Sequence, residues 1–498
     1  MADDGESGPG REDARPGHES VEDGAGEARS ERGAGSGTGG VGSTTLVEID
    51  GIAAGGEGVG RLPSGKVVFV HRTAPGERVE LRLLEEKKSW ARAEPVRIER
   101  ASSARREAPC PHYDRCGGCT LEHLEYGAQL EAKAGIVVDA LERIGGRTVE
   151  TPEVVASPEE FRYRNRVSFA LLRLGGGRIV AGFHELNRPK QVLDITAACM
   201  LPEPALGRAW GALREAWGQG AHRLPSGRRL RLTLRSTAAG EVTLLVDGGY
   251  GRGRPEALIE EVPGLVAVWH RPKKRSGIRL LAGEGSVDET WGGETLALRG
   301  DVFLQVNRGA AEALEAYVLE LSAGASRERR GEPEGERGGD HGVEREGGKG
   351  TERADDLEGL RVVDAYCGVG LYARRLAAAG ATTVGIERDE RAVEEARRDA
   401  PAGAAFVVGD VEDRLPETLP ADAVVLNPPR TGLDDAVTEA LAEARPERTI
   451  YVSCDPATLA RDVDRLGSEF RIASVRCFDL FPQTAHVETV VEMRCGTS

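Results

Sequence analysis

Leu360-Arg-Val-Val-Asp-Ala-Tyr-Cys-Gly-Val-Gly370 decides the fold. An apolar run over 360–365 ends in a loop with two closely spaced glycines, and a helix-forming stretch follows it. Strand, glycine loop and helix open a doubly wound α/β sheet, in which ligands lie beyond the carboxyl ends of the strands. Downstream, short apolar runs at 382–386, 405–408, 423–426, 449–452, 472–478 and 486–493 recur, with helix-like stretches between most of them. That alternation predicts a Rossmann-like α/β domain over residues 293–498.

The chemistry-bearing residues fall at the ends of these runs. Gly368 and Gly370 let the backbone approach a ligand closely. Glu387 closes the next run, where a carboxylate can accept both hydroxyls of an adenosine ribose. Asp410 closes the third and is placed to face an adenine. NAD is the rival ligand, but the loop lacks a full G-x-G-x-x-G. Asn427-Pro-Pro-Arg-Thr-Gly432 follows the fourth run, and Tyr451-Val-Ser-Cys-Asp-Pro456 spans the end of the fifth. A lone Cys454 is more often a packing residue. Here Pro456 ends the strand and exposes the thiol. Phe481-Pro-Gln-Thr-Ala-His-Val-Glu488 re-aims the chain and sets down a carboxylate, Glu488. A glycine loop, a thiol and a carboxylate at strand ends suggest methyl transfer with covalent catalysis.

Upstream, residues 1–43 are polar, acidic and Gly-rich and are expected to be disordered. Residues 44–101 carry short alternating runs separated by Gly55-Gly56 and Pro63-Ser-Gly65, which predicts a small closed barrel. Residues 102–292 read as a mostly β central domain. A helix over 127–145, ended by Gly145-Gly146, is expected to pack on the catalytic domain. The Gly/Glu/Arg-rich stretch 324–356 reads as a disordered insertion.

Four cysteines stand apart from the catalytic set. Cys110, Cys116 and Cys119 have C-x5-C-x2-C spacing, and Cys199 lies in Ile195-Thr-Ala-Ala-Cys-Met200. Four thiolates suit zinc or a [4Fe–4S] cluster, and spacing does not separate the two.

The net charge of −16 argues at first sight against nucleic acid. However, residues 1–42 hold ten Asp/Glu against four Arg, and 324–356 hold ten against seven Lys/Arg, so nine of those charges sit outside the expected fold. Basic clusters at 162–166, 228–235 and 271–279 remain as candidate RNA contacts. With no run of 18 apolar residues and no signal-like N-terminus, no membrane association is expected and a cytoplasmic location is. Eight cysteines there should be reduced or ligating.

Taken together, Asn427-Pro-Pro-Arg430, the Ser453-Cys454-Asp455-Pro456 segment and Phe481–Glu488 closely resemble the RNA uracil-5-methyltransferase family, and residues 44–101 resemble its TRAM barrel. The resemblance implies a class I fold that uses S-adenosyl-L-methionine, with Cys454 as nucleophile and Glu488 as base. Gln305 in Phe303-Leu-Gln-Val-Asn307, Tyr366, Glu387 and Asp410 would line the cofactor site with Gly368, Gly370 and Asn427. A subset of the family carries a [4Fe–4S] cluster, and the resemblance extends to Cys110, Cys116, Cys119 and Cys199. It implies RNA as partner, 23S rRNA rather than tRNA, acted on by a monomer. The family usually has Asp where this chain has Asn427, so any role needing a charge at 427 is in question. Tested against these residues, a cytosine-C5 RNA methyltransferase lacks its second Pro-Cys cysteine. An N6-adenine methyltransferase lacks the aromatic residue wanted at Arg430. A non-catalytic iron–sulfur RNA-binding protein would not need Cys454 and Glu488.

Overall fold

The computed structural model describes residues 41–273, 277–329 and 357–495, with backbone only over 325–329. Nearly all of the acidic N-terminal stretch and most of 324–356 lie outside these residues.

Five strands, Thr44–Ile52, Gly58–Arg61, Val67–Val70, Arg78–Glu86 and Trp90–Arg100, close into a barrel. The period of two explains it: Val79, Leu81 and Leu83 alternate inward along one strand and meet Val47, Ile49, Val68 and Val70, while charged residues face out. Gly56 is required where it stands. Its φ is +85°, and a Cβ there would meet the Thr120 side chain, so the barrel's first turn abuts the cysteine-bearing segment.

The central region is a seven-stranded sheet with one face covered by the helices Pro204–Ala216 and Pro255–Glu261. Phe169 stacks on Trp210 at 3.9 Å in that layer. The sheet is mixed, because Val242–Asp247 and Leu265–Arg271 run parallel around the second helix.

The catalytic sheet has eight strands in the order Ala404–Val408, Thr382–Glu387, Arg361–Ala365, Ala423–Leu426, Arg448–Ser453, Glu488–Cys495, Phe470–Phe478, Val154–Val155. The first five are parallel, and Glu488–Cys495 runs antiparallel between its neighbours. Every residue of Arg448–Ser453 is buried, with Ile450, Tyr451 and Val452 at its centre, so it shows no alternation of apolar and polar residues. Strand order reverses between Arg361–Ala365 and Ala423–Leu426, and that switch point opens the ligand crevice.

Three expectations shift. The last strand begins at Glu488 rather than 486, because residues 479–485 are held by other segments and pairing starts at Glu488 opposite Phe478. The helix Arg308–Arg329 runs six residues into the stretch read as an insertion. Its Arg and Glu residues are good helix formers and extend a helix already anchored by Leu314, Val318 and Leu321. The helix Tyr126–Arg143 starts and ends one to two residues early. It packs Val137 and Leu141 on Ala460, Cys477 and Val487. Among the described residues no helix is long and apolar enough to cross a membrane.

Candidate active site

The glycine loop is fixed from below. Asp364 is fully buried, and its Oδ2 accepts a hydrogen bond from the Ala373 N–H at 3.1 Å, which ties the strand to the helix Leu371–Ala378. Burial pushes its carboxyl up to about 7, and Oδ1 has no hydrogen-bond partner among the described residues. Tyr366, Gly368 and Gly370 all have left-handed backbones, with φ of 65°, 56° and 77°. The two glycines differ in surroundings. A Cβ on Gly370 would lie 2.4 Å from the Phe406 ring, whereas one on Gly368 would meet nothing within 4 Å. Gly370→Ala should therefore unfold at lower temperature, by about 1–3 kcal/mol of stability. Gly368→Ala should lose less stability and more cofactor affinity, because its methyl enters open space above the loop. Thermal melts paired with cofactor titration separate the two effects.

Glu387 joins the loop to the next strand. Its carboxylate accepts from the Gly368 N–H at 3.1 Å and the Asp389 N–H at 2.8 Å. Asp410 precedes the helix Val411–Thr418 and pairs with Arg388 at 3.4 Å. Tyr366 feels the charge of Asp410 and has its hydroxyl pushed up, chiefly by burial. Asn427 donates its backbone N–H to Ala365 O at 3.2 Å, directly beside the loop. Glu387, Asp410, Tyr366 and Asn427 thus all stand at neighbouring strand ends. Gln305 is placed by a different segment, with its carbonyl accepting from Asn165 Nδ2 at 2.9 Å. Open space over Gly368, flanked by a carboxylate, fits an adenosine-type cofactor.

Cys454 follows the Arg448–Ser453 strand, and Glu488 opens the strand paired with it, in register through Ser453 and Thr489. The thiol is half-buried and raised above its ordinary value, first by burial and then by the nearby Glu488 carboxylate. Glu488 is buried, which pushes it up to about 8. The structure adds Arg430, which the sequence reading passed over. Its guanidinium charge acts to lower both Cys454 and Glu488, against the larger effect of burial. It lies three residues after Asn427, and the sequence marks it no further.

Cys110, Cys116, Cys119 and Cys199 line one small pocket with Tyr113 and Glu122. Burial pushes all four thiols up, Cys199 to about 12. Among the described residues no three His, Cys, Asp or Glu side chains stand so as to hold a single metal ion. Arg164 bridges toward the catalytic end. It is within electrostatic reach of Cys119 and Cys199, and it lies 5.8 Å over the Phe481 ring.

Comparison with known proteins converges on this arrangement. Residues 415–494 match the tRNA (uracil-5-)-methyltransferase family, residues 40–96 the TRAM domain, and residues 362–446 a methyltransferase domain. An uncharacterized RNA methyltransferase of Gloeobacter violaceus is 35% identical over 91% of this chain and 96% of its own. One from Thermosynechococcus vestitus is 32% identical over 90% and 97%. The Pyrococcus abyssi tRNA (uracil-54, C5)-methyltransferase, solved with S-adenosyl-L-homocysteine, superposes with a TM-score of 0.66 at 25% identity, covering 90% of this chain and all of that one. With a five-stranded TRAM barrel ahead of a class I methyltransferase sheet, and relatives that match over nearly their whole length, the chain belongs to the S-adenosylmethionine-dependent RNA uracil-5-methyltransferase family.

Proposed function

We propose that this protein makes 5-methyluridine in 23S rRNA, with Cys454 as the covalent nucleophile and Glu488 as the base. The observation that carries this reading is the pairing of a half-buried thiol with a buried carboxylate on adjacent strands, with one guanidinium, Arg430, acting on both. Uracil C5 is too weak a nucleophile to take a methyl group directly. The Cys454 thiolate adds to C6, the C5–C6 double bond opens, and the electron pair moves onto the C4 oxygen as an enolate. Bound S-adenosylmethionine supplies an electrophilic methyl group, which C5 takes. Glu488 then removes the C5 proton, the C6–S bond breaks, and the thiolate is regenerated. The target base must be unpaired or flipped to reach Cys454.

The 23S assignment rests on the family likeness of barrel plus cysteines. A tRNA target is the second reading, favoured by similarity to the P. abyssi enzyme. Mapping 5-methyluridine in total RNA with and without the gene decides between them. Loss of no such nucleotide would overturn both.

The pH dependence has a definite sign. Burial favours the neutral form of Glu488, so below about 8 the base is mostly protonated. Decay of the covalent adduct should therefore speed up about tenfold per pH unit between roughly 6 and 7.5 and level off above 8. Single-turnover measurement of adduct decay against pH checks this. A flat profile removes Glu488 from the role.

Cys110, Cys116, Cys119 and Cys199 would hold a [4Fe–4S] cluster. All four line one pocket, which His112 and Glu122 also border. Zinc is the rival for four thiolates, and the family likeness is what favours the cluster. The uracil reaction moves no electrons, so the cluster's task is structural or RNA-positioning. Anaerobically purified protein should hold about four iron atoms per chain, and Cys116→Ser should bleach it while cofactor binding persists. Stoichiometric zinc in colourless protein would refute the cluster and leave the methyltransferase reading intact.

A further inference from the structure

Gln483 has a backbone φ of 70°, a conformation that side-chain-bearing residues seldom adopt, and it is completely buried. Such a residue persists only where its surroundings over-determine it, and these outliers cluster at functional sites. Every polar atom of Gln483 is held. Its N–H donates to Gln129 Oε1 at 2.9 Å. Its carbonyl accepts from the Thr120 and Leu121 N–H groups at 2.9 and 3.0 Å. Its Oε1 accepts from Gln129 Nε2 at 2.9 Å and from Arg106 Nη2 at 2.8 Å. Its Nε2 donates to Glu160 O at 3.2 Å. Four separate stretches of the N-terminal half thus grip one residue five positions before Glu488.

The rest of the loop is pinned in the same way. Lys133 and Asp479 form an ion pair with both side chains fully buried, and Lys133 Nζ also donates to Phe481 O at 3.2 Å. Tyr163 donates its hydroxyl to Pro482 O at 3.0 Å, and Ala485 N–H donates to Thr120 Oγ1 at 3.1 Å. Thr120 directly follows Cys119, so the cysteine pocket and the loop share a backbone joint.

We propose that Gln483 and Gln129 form a bracket that positions Glu488 for removal of the C5 proton. This rests on the reading of Glu488 as base. The bracket touches neither the thiol nor the glycine loop, so its loss should slow release of the adduct and spare its formation. Gln483→Gly keeps the left-handed backbone at no steric cost and removes the side-chain grip. Gln129→Ala removes the grip from the opposite side and leaves Gln483 intact.

The test follows covalent RNA–protein adduct on denaturing gels, with total RNA from cells lacking the gene as substrate. Both variants should bind S-adenosyl-L-homocysteine as the parent does and form adduct within about twofold of its rate. Release should slow by at least tenfold, so a methylated adduct band builds up. If Gln483→Gly fails to fold, Gln129→Ala carries the test. Release at the parent rate overturns the proposal, as does an equal fall in formation and release, the mark of a merely structural role. Glu488→Gln is the control. If it traps adduct and the bracket variants do not, only the bracket is wrong. If it traps none, the base assignment fails and takes the bracket with it.

Discussion

Cys454→Ala should lower methyl transfer by on the order of 10⁴-fold or more, the scale on which removal of a covalent nucleophile is felt. Without the C6–S bond there is no enolate, and C5 cannot attack the methyl group. The side chain is half-buried just past a fully buried strand, two strands away from the one that carries the glycine loop. Cofactor affinity should accordingly stay within a few fold and the melting temperature should barely move. Calorimetric titration with S-adenosyl-L-homocysteine, beside an isotope-labelled methyl transfer assay, measures both. Activity near that of the parent would end the covalent mechanism.

Glu488→Gln should produce the opposite kinetic picture. The thiol still adds and the methyl group still moves, but the amide cannot take the C5 proton, and turnover should fall by about 10²- to 10⁴-fold. The missing activity should reappear as a stable RNA–protein band that contains the labelled methyl group. The substitution also removes a carboxyl that burial holds near 8, far above its value in an unfolded chain. That chain releases its proton above about 4.3 while the folded protein keeps it, so Glu488 costs stability progressively as pH rises from there to about 8. The variant should therefore melt higher than the parent at pH 8.5 and show little difference at pH 5. Lost activity without a band would mean that Glu488 acts before the adduct forms.

The parallel core of the catalytic sheet was legible because strands buried on both faces leave apolar runs, as Ala423–Leu426 does. Gly368 and Gly370 were legible because only glycine enters left-handed turns freely, though the sequence did not tell that one faces open space and the other a phenyl ring. Cys199 lies 80 residues from Cys119, beyond any spacing rule, and only family likeness drew it into the set. Arg430 was invisible as a site residue because a lone arginine after two prolines reads as solvated surface. Gln483 was invisible for a related reason. Its role comes from Arg106, Thr120, Gln129 and Glu160, all more than 320 residues away, and no local pattern encodes such a meeting.

The two-residue strand Val154–Val155 caps the catalytic sheet by pairing with Phe470–Phe478. Short as it is, it bears on where the chain can be cut. A C-terminal part expressed without residues 126–155 would show a bare sheet edge, the template on which strands of other chains add. It would also hold Asp479 without Lys133, leaving a buried charge uncompensated, a loss of about 3–5 kcal/mol. A fragment meant to fold as the catalytic part alone would therefore need residues 126–155 supplied with it.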